Sequence, residues 1–126
     1  FPLEGGGVAE KSFLHATDLA AAVFAIITDG VNGEVYNAGP ESAVSIRRIV
    51  EFIADAAGVT MDSFVDMAPG RATEDSRYWL DSTRITEDLG WHATIPLEQG
   101  AVEMVEWARD NLDALRAMPQ QFSLRS

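Results

Sequence analysis

At 126 residues the chain is one domain-sized unit, long enough to bury a core and too short for two ordinary domains. Its 47% hydrophobic and 23% charged content is that of a soluble globular protein, while nine basic against twenty acidic residues leave a net charge of −11 that repels phosphate backbones and excludes a nucleic-acid partner. The lack of cysteine removes disulfides, zinc–thiolate sites and thiol catalysis and fits a cytoplasmic origin. No secretory signal opens the sequence, and its longest apolar stretch, Leu19 to Ile27, is too short to span a bilayer. An anionic ligand would therefore need a local concentration of cations, drawn from Lys11, the one lysine, and the eight arginines.

In chain order, Phe1 to Lys11 reads as an irregular lead-in, with Gly5-Gly6-Gly7 marking a turn. Ser12 to Ala16 reads as a short strand. Thr17 or Asp18 then caps a helix running through Ile27, with apolar positions at Leu19, Val23, Ile26 and Ile27. Asp29-Gly30 ends that helix, Asn32-Gly33 makes a turn, and Glu34 to Ala38 is a β-rich strand closed by Gly39-Pro40. Ser45 caps a second helix with Ile46, Ile49, Val50, Ile53 and Ala57 along one face and Gly58 as its stop. Ser63 to Met67 is a strand.

A charged loop from Arg71 then leads into a strand at Tyr78 to Leu80, and Asp81 or Ser82 caps a helix that stops at Gly90. The last helix starts after Pro96 and keeps its spacing through Leu97, Ala101, Met104, Val105, Ala108 and Leu112 to about Leu115. Residues 1–115 form the domain and 116–126 a polar tail. The strands are too few and short for a doubly wound sheet, which predicts a small α+β unit of about four helices around a few short strands. Trp91, Trp107 and Phe52 read as core or as contact surface, and Ser12, Ser45 and Ser82 as caps and strand ends. His15 and His92 have no second ligand at metal spacing, so no metal site is expected.

The run Arg71 to Trp91 carries the most information. Arg71, Asp75, Arg77, Tyr78, Leu80, Asp81, Leu89, Gly90 and Trp91 fall, without a gap, where the extended short-chain dehydrogenase/reductases that modify nucleotide-linked sugars show Arg-x-Gly-x-Asp-x-Arg-Tyr-x-Leu-Asp and then Leu-Gly-Trp. Lys11-Ser-Phe-Leu-His-Ala-Thr-Asp18 resembles the family's Arg-Asp-Phe-x-x-Val-x-Asp segment, and Gly33-Glu-Val-Tyr-Asn-Ala-Gly39 its Gly-x-x-Tyr-Asn-Ile-Gly turn. Phe1-Pro-Leu-x-Gly-x-Gly also matches. The resemblance covers roughly Phe1 to Leu115. It implies the C-terminal, substrate-binding part of an NAD- or NADP-dependent nucleotide-sugar 4,6-dehydratase or epimerase, an enzyme that oxidises the sugar at C4 and then eliminates water or re-reduces it. It implies that Arg71 and Lys11 hold the nucleotide diphosphate, with Asn37 and Arg77 nearby. Glu74 stands where dehydratases of this group often show His.

Two family features are missing from the sequence. No Gly-x-x-Gly-x-x-Gly turn precedes a helix, and no Tyr-x-x-x-Lys pair exists, since Tyr36 is followed four residues on by Pro40 and Tyr78 by Ser82. The expectation is a severed part that holds no cofactor and is not catalytic alone. Its partners would be a nucleotide diphosphate sugar and an N-terminal cofactor domain, with no membrane contact and a monomeric state for the piece. A stand-alone, non-catalytic binding module is the alternative. Each candidate also has a plainer reading: Arg71 paired with Glu74 or Asp75, Arg77 paired with Asp81, and Asn37 as a turn former.

Overall fold

The structure, a computed structural model, describes residues 1–71 and 73–118. Five α-helices form just under half of it: α1 (Ala16–Asp29), α2 (Ile46–Ala57), α3 (Thr83–Leu89), α4 (Leu97–Asp110) and α5 (Leu112–Ala117). The strands are β1 (Pro2–Glu4), β2 (Glu10–Lys11), β3 (Val44–Ser45), β4 (Asp66–Ala68) and β5 (Arg77–Tyr78). β1 and β4 pair in parallel, and β2 lies between antiparallel β3 and parallel β5. The expected α+β unit is present, with a fifth helix because Asn111 breaks the last one. There φ is −110°, and the Asn111 side-chain amide and main-chain N–H both donate to the Trp107 carbonyl.

Local chemistry explains where the elements stop. Ser45 accepts from the Arg48 N–H at 3.1 Å to start α2, and left-handed Gly58 and Gly90 end α2 and α3. Of the two candidate caps for α3, Asp81 does the work, accepting from the Thr83 N–H at 2.9 Å, while Ser82 donates to the Gly39 carbonyl. Helix α5 runs to Ala117, past the expected limit of Leu115, and the rest of the tail from Pro119 on lies outside the described residues.

Five expectations about the strands and the lead-in are corrected. The lead-in is ordered, because β1 has β4 to pair with and β2 has β3 and β5. Residues 12–15 are not a strand; the pairing ends at Lys11. Glu34 to Ala38 has no strand beside it among the described residues, so its β-formers form no ladder, and Val35 is exposed. The strand expected at Tyr78 to Leu80 is β5, and that at Ser63 to Met67 is β4, each shifted to where a partner lies in register.

Helix α1 is capped by neither Thr17 nor Asp18. His15 Nδ1 accepts from the Thr17 N–H at 3.2 Å, which frees Asp18 for an inward role. The side of α1 that faces the core carries Asp18 and Ala22, both buried, and half-buried Ile26. Ala22 packs with Ile85 of α3 and Trp91. Leu19, Val23, Phe24 and Ile27 point outward, with Phe24 and Ile27 exposed by 70% and 76%. The larger apolar stripe of α1 is thus unused by this core. Elsewhere α2 packs on α4, and Arg109 of α4 closes the contact by donating to the Ala57 carbonyl at 2.9 Å.

Asp18 joins these parts. Its carboxylate accepts from Thr94 Oγ1 at 2.8 Å, the Thr94 N–H at 3.1 Å and the Ile95 N–H at 2.9 Å, while its carbonyl accepts from the Trp91 indole at 3.1 Å. Burial raises the carboxyl pKa, but the Ile95 and Thr94 donors outweigh it and hold the group below the ordinary value of 3.8. A carboxylate depressed in the fold stabilises above its unfolded pKa, and that stability is lost as pH falls through the folded value. Asp18→Ala should therefore cost about 3 kcal/mol or more at pH 7 by urea denaturation, since three donors lose a charged acceptor. The gap between wild type and Asp18→Asn should close as pH falls below the ordinary carboxylate range; a gap independent of pH would contradict this role.

Candidate functional site

Two segments that follow the parallel strands form the candidate site. β1 ends at Glu4 and β4 at Ala68, in register with each other. Pro69 cannot donate to a ladder, so pairing stops there. Just beyond, Gly5 and Gly70 touch: a Cβ on Gly70 would lie 3.1 Å from the Gly5 Cα. The segments then run alongside each other and pair again as β2 and β5, with Glu10 opposite Arg77 and Lys11 opposite Tyr78.

Side chains staple the stretch between. Arg71 Nε meets Glu4 Oε2 at 2.5 Å, and Arg77 Nε meets Glu10 Oε2 at 3.2 Å. Lys11 Nζ donates to the Asp75 carbonyl at 2.8 Å, and the Glu10 N–H donates to the Ser76 carbonyl at 2.9 Å. From α2, Arg47 Nε donates to the Gly6 carbonyl at 3.0 Å. Cations therefore gather on the segments 4–11 and 70–78 of an acidic chain.

Three of the four candidates from sequence belong here. Arg71 pairs with Glu4 in place of Glu74 or Asp75, and its side chain remains 70% exposed. Arg77 pairs with Glu10 in place of Asp81. Because Glu10 faces Arg77 and Lys11 faces Tyr78, Lys11 and Arg77 lie on opposite faces of the small sheet. Asn37 sits apart. Its amide donates to the Asp81 carbonyl at 3.3 Å, in a segment tied to α3 by Tyr36 donating to Asp88 and by Arg84 reaching Glu34 at 2.6 Å. Sequence reasoning missed Glu4, Glu10 and Arg47. The signal was available for the first two, since Glu4 and Glu10 repeat the spacing of Arg71 and Arg77.

A separate apolar groove of about 630 Å³ lies between α2 and α4, lined by residues that include Phe52, Ile53, Met104 and Trp107. His15 and Glu103 form its polar wall, Nε2 to Oε2 at 3.2 Å. Arg71, Lys11, Arg77 and Asn37 are not among its lining residues. Among the described residues no group of three or more His, Asp or Glu could hold a metal ion, and no helix is long and apolar enough to cross a membrane.

A family model described as GDP-mannose 4,6 dehydratase matches residues 2–104. The chain belongs to that family. It is therefore one of the extended short-chain dehydrogenase/reductases of nucleotide-sugar dehydratase and epimerase type, as its signature run indicated. It is 31% identical over 114 residues to human (Homo sapiens) dTDP-D-glucose 4,6-dehydratase, covering 86% of this chain and 32% of that protein. Its fold is similar to that of the dTDP-glucose 4,6-dehydratase of Bacillus anthracis, solved in complex with NAD, at 29% identity and a TM-score of 0.79 over 89% of this chain and 35% of that one. A UDP-glucose 4-epimerase of Thermotoga maritima, solved with UDP-glucose, gives a TM-score of 0.79 at 25% identity, over 88% of this chain and 35% of its own. The chain spans about a third of the length of the curated relatives it matches.

The Gly5–Gly7 turn is not built like the dinucleotide turn that holds a cofactor such as the NAD bound by the Bacillus anthracis enzyme. The glycine-rich turn at Gly5–Gly7, where all three residues have positive φ, is filled from behind by the protein itself. Gly7 is buried, and a Cβ there would lie 2.7 Å from Leu3 Cδ1 and 2.8 Å from the Arg47 nitrogen. A dinucleotide turn instead opens the first turn of a helix toward the pyrophosphate. The closeness of Gly7 also makes a test. Gly7→Ala combines an unfavourable φ of 69° with overpacking and should destabilise by about 2–5 kcal/mol in denaturant titration. A near-neutral change would mean that the turn does not pack on α2 as described.

Proposed function

We propose that this chain is the nucleotide-sugar-binding part of an NAD- or NADP-dependent nucleotide-sugar 4,6-dehydratase or epimerase, and that it does not catalyse alone. The family match across residues 2–104 carries this reading, together with a length one third that of the relatives. Arg71 and Lys11 hold the diphosphate, with Arg77 on the adjoining β5, while Asn37 stays apart on the Asp81 carbonyl. Their positions support it: Lys11 reaches the Asp75 carbonyl, four residues on from Arg71, and the Arg71 side chain stands largely in solvent. A diphosphate draws on charge and planar geometry together, which a guanidinium offers and a lysine offers in part.

A cofactor domain outside the described residues holds NAD or NADP and supplies the acid/base pair. That domain also covers the outward stripe of α1 and the unpaired segment 34–38. Exposed apolar residues, Phe24 and Ile27 on α1, Val31 in the turn after it and Val35 on the segment, support this. The chain's own residues bind and orient the nucleotide end of the substrate, and no proton or hydride step is assigned to them.

Two measurements test the reading. The purified chain should turn over no nucleotide-sugar with or without NAD, and any turnover would overturn the division of labour. In the longer enzyme, Arg71→Ala should lower kcat/KM by the equivalent of about 1.5–3 kcal/mol while leaving cofactor affinity unchanged. Wild-type kinetics for that variant would reduce Arg71 to a surface ion pair.

A further inference from the structure

We infer that Glu4 is the positioning residue for Arg71, fixing its guanidinium for a diphosphate; this rests on the reading of Arg71 given above. A guanidinium carries five N–H donors on a planar fork. Glu4 meets it at Nε. The outer edge, formed by the two Nη groups, remains for the bidentate contact that phosphate oxygens match. The Glu4 oxygen in that contact is shielded from water and has no hydrogen-bond partner, so the ion pair with Arg71 is what offsets its charge. Backbone geometry sets its place: Glu4 is opposite Ala68 where β1 and β4 end, and the Gly5–Gly70 contact follows at once. Without Glu4 the long Arg71 side chain would keep its rotamer freedom, and a ligand would have to remove it on binding.

The sign of the effect separates positioning from simple electrostatics. Removing a carboxylate from a chain of net charge −11 should tighten an anion by Coulomb's law. Loss of a positioning contact should weaken it. The test is titration of the chain with thymidine diphosphate and with thymidine at low salt, followed by amide chemical shifts. Glu4→Gln keeps the size of the side chain and should weaken thymidine diphosphate by about 5-fold, with thymidine unchanged. Arg71→Ala should weaken the diphosphate by about 10-fold or more, and adding Glu4→Gln to it should weaken nothing further.

Unchanged or tighter diphosphate binding in Glu4→Gln, beside a weakened Arg71→Ala, overturns the positioning role and leaves the Arg71 reading standing. Unchanged binding in Arg71→Ala overturns both. Should Glu4→Gln melt well below wild type, Glu4→Asp gives the same comparison, because it keeps the charge and withdraws it by one methylene. Weaker diphosphate binding there supports the inference, and unchanged binding overturns it.

Discussion

The buried carboxylate of Asp18 is the constraint on which the rest depends. It lies in the first turn of α1, where the helix dipole already favours a negative charge, and it spends its lone pairs on a distant segment, 94–95. That contact fixes where the chain turns after α3 and places Trp91 under α1, its indole tied to the carbonyl of the same residue. Trp91, Ala22 and Ile85 then form the small core. From this the direction of α4 follows, since Pro96 begins its cap immediately after Ile95. A polar hub is an economical choice for a domain with so little apolar interior. Burying an unpaired carboxylate is costly, and three donors turn the same group into a specific fastener.

Much of this was legible in the sequence because it is local. Ser45, Gly58 and Gly90 act as cap and stops because their chemistry is decided within one helical turn. What could not be read depends on partners far along the chain. The strands β1 and β2 are short and unremarkable in composition; they exist because β4, β3 and β5 come into register with them. Conversely, Glu34 to Ala38 has the composition of a strand and lacks a neighbour among the described residues. The period of α1 was read correctly, but not the direction of its face, since Leu19, Val23 and Ile27 look more core-like than Asp18 and Ala22. Tertiary context decided that, through α3 and Trp91.

The candidate site shows the same division. Arg71, Lys11 and Arg77 stand out because cations are scarce in this chain, yet the plainer readings pair the two arginines with residues close in sequence. Proximity along a loop favoured Glu74, Asp75 and Asp81. Parallel pairing instead brought Glu4 and Glu10 alongside, a match that their shared six-residue spacing with Arg71 and Arg77 hints at and the register of two short ladders fixes. Asn37 is a different case, because its amide has a role in the fold itself, holding the segment after Gly33 to the carbonyl at the start of α3.

The stapled segments also show how an acidic protein can place its scarce cations. Exposed ion pairs add little to stability, typically well under 1 kcal/mol each. Their value here lies in placement. Each arginine is drawn to a carboxylate through Nε, and Lys11 is drawn to a carbonyl, so the three cations are spread over the two neighbouring segments instead of collapsing onto the nearest acid in sequence. Because two- and three-residue ladders are weak on their own, the loop's shape relies on backbone contacts that a side chain would disrupt, at Gly5 with Gly70 and at Gly7 with Arg47. The glycines that resemble a phosphate-binding turn thus serve close packing between main chains. The charge that a phosphate would meet comes from the arginines those glycines bring into line.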